Sequence, residues 1–270
     1  MLQNAQMVAA NRQSATLTLR MAHALLHSMS SSSASRGRSA GRQALLLLLG
    51  WLLVVGVVLA VGLVLTGPLR RTVNPADDDA VRWFVSQRSS SLTTAAQTAR
   101  LLGETWTAVT LAPLLLIVTW LWRRDWRPVS FVAVALLGEI TAYLVVVNLV
   151  NRPRPPVLRL DDGLNPQHSY PSGHVAASTA MYGAMAVLIW MFATKRWRWL
   201  GAVLVVVPPV VALARLYEGV HHITDVVTSL AFMSAWLAIA AAILLPDAPR
   251  DGPRSGRGQY AREPRAGGSG

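Results

Sequence analysis

The chain has 270 residues. Its 25 Lys and Arg stand against 13 Asp and Glu, a formal net charge of +12, yet only 14% of it is charged and 53% comes from the hydrophobic set. That composition excludes an ordinary soluble domain. The absence of cysteine excludes disulfides, thiolate metal sites, iron–sulfur clusters and cysteine nucleophiles.

In chain order, residues 1–42 are polar and serine-rich and carry five arginines with no acid. They read as a disordered basic segment, because too little apolar surface is present to offset ordering entropy. They do not read as a cleavable signal peptide, since the apolar run starts too late. Six apolar blocks follow, at 44–65, 105–122, 129–150, 175–193, 200–213 and 226–245. A run of roughly 20 apolar residues crosses a bilayer core as a helix, so the chain reads as an all-α polytopic membrane protein whose membrane domain covers 43–245. The fifth block is short and carries Pro208-Pro209, which predicts a kink. Between the first two blocks, 67–103 is too polar to insert and reads as a helix on the outer surface. Asn74-Pro75-Ala76-Asp77 offers it an N-cap, a first-turn proline and early acids. Residues 246–270, rich in Pro, Gly and Arg, read as a disordered tail.

Loop charges predict the orientation. With the N-terminus inside, the inner segments hold 16 of the 25 basic residues and only four acids, while the outer segments are nearly neutral. The positive-inside tendency therefore puts both termini in the cytoplasm. Trp120, Trp122, Trp126, Trp197 and Trp199 cluster beside the inner loops, as an interfacial aromatic belt does. A nucleic-acid role fits poorly, because the charge is divided among small loops and two tails. Arginine outnumbers lysine 24 to one, which points to a GC-rich genome and a bacterial plasma membrane.

The polar residues least expected in such a chain gather at the outer boundary: Arg152 to Pro156, Tyr170 to His174, and Arg215 to Asp225. His221 and Asp225 are four apart and share a helix face. A carboxylate there can hold one ring nitrogen and leave the other as a nucleophile. Arg154 and Arg215 supply permanently charged forks for phosphate oxygens. Ser172-Gly173 at a helix start offers backbone N–H groups and the positive dipole end to an anion, and His174 is placed to act as general acid. This is a scheme for phosphoryl transfer that needs neither metal nor cofactor. Read alone, Pro-Ser-Gly-His is a capped turn, and His221-His222 with His168 and His174 is a half-built metal site. Nearby arginines disfavour the latter. Glu139, mid-span, reads as a protonated acid inside the bundle.

These residues resemble the type 2 phosphatidic acid phosphatase superfamily of integral-membrane lipid phosphatases, whose signature is Lys-x6-Arg-Pro, Pro-Ser-Gly-His and Ser-Arg-x5-His-x3-Asp. Arg154-Pro155 matches the end of the first part, Pro171 to His174 match the second, and Arg215, His221 and Asp225 match the third. The resemblance implies six helices and a phosphohistidine on His221 oriented by Asp225. It further implies acid–base work by His174, and phosphate binding by Arg154, Arg215, Ser172 and Gly173. The chain departs from the signature at Val147, where the family has lysine, and at Ala214, where it has serine; Arg152 stands as a partial replacement for the lost cation. The expected partner is a membrane lipid phosphate or diphosphate, of isoprenoid or phosphatidate type, met at the outer leaflet. Rival readings are a lipid phosphotransferase using the same histidine, a catalytically weak lipid-phosphate binder and a transporter.

Overall fold

A computed structural model describes residues 40–245. The expected disordered segments lie outside these residues, except that Ala40 to Arg42 already form the start of the first helix. Eight α-helices follow in order: α1 (Ala40–Thr66), α2 (Arg70–Ser86), α3 (Ser90–Leu101), α4 (Thr105–Arg123), α5 (Trp126–Leu149), α6 (Gly173–Phe192), α7 (Arg198–Tyr217) and α8 (Ile223–Leu244). Six are long and apolar enough to cross a membrane: α1, α4, α5, α6, α7 with the 3₁₀ turn Lys195–Trp197 before it, and α8. The protein is a multi-pass membrane protein.

The apolar blocks and the spans agree to within a few residues except in the fifth, which runs on to Tyr217 and passes without interruption through Pro208-Pro209. Its last turn therefore carries Arg215 to the end of the bundle. α6 is the central helix, packed against α5, α7 and α8, and its largely buried Ala, Ser and Thr positions admit close neighbours. α1 and α4 turn rows of leucine, valine and tryptophan outward, among them Leu45, Leu49, Leu53, Trp106, Ile117 and Leu121. α1 is fastened to the bundle by Trp51 Nε1 donating to the Gly138 carbonyl (3.1 Å) and by Tyr170 Oη donating to the Val58 carbonyl (2.8 Å). Glu139 is buried on α5, one turn before Tyr143.

The segment between the first two spans forms two helices rather than one. α2 packs on α7 and α8, and α3 on α7. Asn74-Pro75 does not start α2: the helix begins at Arg70, and the proline lies inside it. Asn74 and Asp77 instead face inward, toward Arg152. The C-terminal ends of α5 and α7 and the N-terminal ends of α4, α6 and α8 share one end of the bundle, and the three sequence motifs meet there.

Candidate active site

The α5–α6 loop is held as a short parallel bridge between Arg152 and His168, with the Ser169 N–H donating to the Arg152 carbonyl (3.0 Å). Arg154 follows. Its Nε donates to the Asn165 carbonyl (2.9 Å), Nη1 to the Val220 carbonyl (2.6 Å) and Nη2 to the His168 carbonyl (2.8 Å). These acceptors are neutral, and among the described residues no carboxylate pairs with this guanidinium. Burial and the repulsion of nearby Arg215 lower its pKa to about 10, against the pull of Asp225. It remains a cation at neutral pH, partly buried and without a counter-ion, next to the residue that precedes His221.

His221 is buried. Its Nδ1 lies 2.7 Å from the Ser169 carbonyl oxygen. A carbonyl can only accept, so Nδ1 carries the proton and the lone pair is left on Nε2. Asp225 Oδ2 is next to the same nitrogen at 3.6 Å, an ionic neighbour rather than the primary acceptor. Burial pushes the imidazole pKa down to about 4, against the opposing effect of Asp225. At neutral pH the ring is uncharged and nucleophilic at Nε2.

Asp225 is fixed from several directions. The backbone N–H of His222, the N-cap of α8, donates to its Oδ2 at 2.8 Å; Ser169 Oγ donates to that oxygen too, and Arg152 Nη1 pairs with Oδ1. Arg152 itself is fully buried and also pairs with Asp77 of α2 at 2.8 Å, while its Nη2 reaches Asn74 Oδ1 at 3.1 Å. Arg152, expected to stand in for the missing lysine, instead gives its Nη donors to Asp225, Thr224, Asp77 and Asn74, with Nε unpartnered among the described residues, and so is the buried counter-ion that holds Asp225 and α2. Val147 is buried on α5 and supplies no charge. His222 bridges Asp225 Oδ2 (3.3 Å) and Asp78 Oδ1 (3.1 Å), a structural link between α8 and α2.

α6 begins beside this group with Ser172 as its N-cap. The Ser172 N–H donates to Ser229 Oγ at 2.9 Å, but among the described residues Ser172 Oγ, although buried, has no hydrogen-bond partner. Gly173 sits at a close approach: a Cβ there would meet Cε2 and Cζ of Tyr143 at 3.0 Å, so the ring would have to give way by a few tenths of an ångström. His174 Nε2 is likewise buried without a hydrogen bond, and the nearest acid, Glu104 Oε1 at the start of α4, is 3.5 Å away.

Arg215 is fully buried. Nη1 pairs with Glu218 Oε2 at 2.6 Å and Nη2 with Asp161 Oδ2 at 3.2 Å. Asp161 also receives Arg100 Nη1 at 3.1 Å. Gly219 at φ +71° turns the chain between Glu218 and His221, a left-handed conformation open to glycine. Arg154, Arg215, Ser172, Gly173, His174, His221 and Asp225 thus belong to one cluster at one end of the bundle. Sequence reasoning missed Asp77, Asp78, Arg100, Glu104 and Asp161. Only the packing of α2, α3 and the start of α4 against the bundle brings the first four into it. Among the described residues no three His, Asp or Glu side chains are grouped so as to hold a metal ion.

A lone pair on Nε2, an unneutralised guanidinium, an unpartnered hydroxyl and a helix N-terminus are the components of an anion site facing a nucleophile. A family model described as the PAP2 superfamily matches residues 127–247. Sphingosine-1-phosphate phosphatase 1 of Rattus norvegicus is 32% identical over 120 residues, which is 40% of this chain and 26% of that protein. Decaprenylphosphoryl-5-phosphoribose phosphatase of Mycolicibacterium smegmatis is 37% identical over 108 residues, 39% of this chain and 53% of that protein. The chain thus spans between about a quarter and about half of the length of these curated relatives. In fold it is similar to a transmembrane PAP2-type phosphatidylglycerolphosphate phosphatase from Bacillus subtilis. The TM-score is 0.58 at 20% identity, covering 73% of this chain and 92% of that one.

Proposed function

Because this chain belongs to the PAP2 superfamily through residues 127–247, we propose that it is a membrane lipid phosphatase acting through His221. The observation that carries the reading is Arg154, a partly buried cation with neutral partners only, one residue's width from a buried histidine whose Nε2 is unprotonated. The phosphatases among its relatives act on lipid-linked phosphates by name, which supports a phosphate or diphosphate monoester on a lipid as substrate.

His221 Nε2 attacks phosphorus. The P–N bond forms as the P–O bond to the lipid breaks, and His174, which takes up a proton as the anionic substrate enters, passes it to the departing oxygen. Water then attacks the phosphohistidine, His174 takes back a proton, the P–N bond breaks and inorganic phosphate leaves. Arg154, Arg215, Ser172 Oγ and the N–H groups at the start of α6 hold the phosphoryl oxygens as charge develops. The Asp225 carboxylate stabilises the cationic ring that forms when Nε2 is phosphorylated. A lipid tail anchored in the bilayer would deliver the headgroup to this rim already aligned. The basic inner loops support a site on the outer face with both termini cytoplasmic.

The test is phosphate release by purified protein from isoprenoid diphosphates, phosphatidate, phosphatidylglycerol phosphate and water-soluble esters, run beside His221→Ala. The expected result is turnover of a lipid substrate, abolished in the variant, with an acid-labile phosphoprotein trapped from wild type. Turnover that survives in His221→Ala would remove the nucleophile assignment. Labelled water in the product separates hydrolysis from transfer to an alcohol.

A further inference from the structure

Asp161 Oδ2 lies between two guanidiniums, 3.1 Å from Arg100 Nη1 on α3 and 3.2 Å from Arg215 Nη2 on α7. One oxygen gripped by two planar forks is the arrangement an oxygen of a bound phosphate adopts. The two arginines differ from their carboxylate in how firmly they are placed. Arg215 is fully buried, its Nε has no hydrogen-bond partner among the described residues, and Glu218 pins its other arm. Arg100 is braced by Glu104 at 3.4 Å and Glu218 at 3.6 Å. Asp161 is on the α5–α6 loop, its side chain 16% exposed, between the strongly exposed Leu158 and the exposed Asp162 and Gly163. Its main tie to the bundle nearby is the Leu160 N–H donating to the Glu218 carbonyl at 3.1 Å.

Resting on the phosphatase reading, we propose that Asp161 is an exchangeable counter-ion: a phosphate oxygen of the substrate displaces its carboxylate from the Arg100–Arg215 pair, so that Arg100 is a substrate-binding residue and Asp161 a determinant of phosphate affinity. The exchange also defines a substrate class. A phosphate group must outcompete a monovalent carboxylate beside two further acids, Glu104 and Glu218. The dianionic terminal phosphate of a monoester or diphosphate gains from the swap, whereas a monoanionic phosphodiester gains little. Arg100 lies outside the three sequence motifs, and it supplies from α3 a cation that Val147 cannot.

The experiment measures binding of inorganic phosphate and orthovanadate to the purified full chain by calorimetry and by ligand-dependent thermal stabilisation, with KM for a turned-over ester in parallel. Asp161→Asn is expected to bind both anions about tenfold more tightly and to lower KM, and Arg100→Gln to bind them about tenfold more weakly. The gain from Asp161→Asn should vanish when Arg100→Gln is also present. Asp161→Ser serves as the second charge-removing variant should the amide fold poorly, and Arg82→Gln, an exposed arginine of α2, is the control. A structural role for Asp161 predicts weaker or unchanged anion binding together with a lower melting temperature, and that result overturns the proposal. Unchanged binding in Arg100→Gln overturns it too. Wild-type protein that neither binds phosphate nor turns over any ester would instead strike down the phosphatase reading, and the exchange with it.

Discussion

The proton on His221 Nδ1 is directed at the carbonyl oxygen of Ser169, 2.7 Å away, while Asp225 Oδ2 stands at 3.6 Å. The tautomer that frees Nε2 is therefore set by main chain, and the carboxylate acts mainly through its charge. Asp225→Asn should keep the ring oriented and lose about 10²-fold in kcat, less than the ~10⁴-fold expected where a carboxylate alone selects the tautomer. The measurement is kcat of Asp225→Asn beside His221→Ala. Equal inactivity in the two would show that the Ser169 carbonyl does not suffice.

Arg152 and Arg154 are two residues apart and have opposite assignments. Arg152→Met strands Asp77 and Asp225, both buried, and should destabilise the protein by about 3–5 kcal/mol. Arg154→Gln removes a cation that no carboxylate among the described residues balances, so it should raise KM at least tenfold, with a smaller drop in melting temperature than Arg152→Met from the loss of its three carbonyl contacts. Thermal denaturation in detergent together with steady-state kinetics reads both. The reverse pattern would exchange the two roles.

Acidification tests the buried imidazole. His221 titrates near pH 4 in the native state against about 6.5 when unfolded. Between those values the unfolded chain binds a proton that the native one does not, so stability falls as pH is lowered through that window and levels off below it. Melting temperatures taken from pH 7 to pH 4 should therefore fall more steeply for wild type than for His221→Gln. Parallel curves would mean that the ring is not held neutral.

A chain without cysteine is a clean background for mapping sidedness. Gly163→Cys, on the loop beside the active site, should react with a membrane-impermeant maleimide from outside intact cells, and Lys195→Cys only after lysis. The opposite labelling would invert the orientation and put the chemistry on the cytoplasmic leaflet.

The spans were legible because length and apolarity alone specify a crossing helix, and the apolar block of α7 stops short of its last turn because that turn carries Arg215 and Tyr217, polar residues buried at the site. That His174, His221, Asp225, Arg154 and Arg215 gather at one end of the bundle was legible from spacing within motifs. The pairing of Arg152 with buried acids was not legible, because a guanidinium suits a phosphate or a buried acid alike and the inward turn of Asp77 is a tertiary feature. Nothing in the local sequence marks Arg100 on α3 or Glu104 at the start of α4, since their relation to Asp161 and His174 exists only once α3 packs against α7 and α4 against α6.

The pairing of Asp77 and Asn74 with Arg152, and of Asp78 with His222, has a practical corollary for modularity. The stretch that resembles the superfamily starts at residue 127, yet Asp77, one of the two acids that neutralise its buried Arg152, sits some fifty residues upstream. A chimera joining that stretch to the front half of another relative would leave Arg152 with Asp225 alone among its acids and His222 without Asp78. Successful recombination should therefore require the donor of α2 and the donor of α8 to be the same protein.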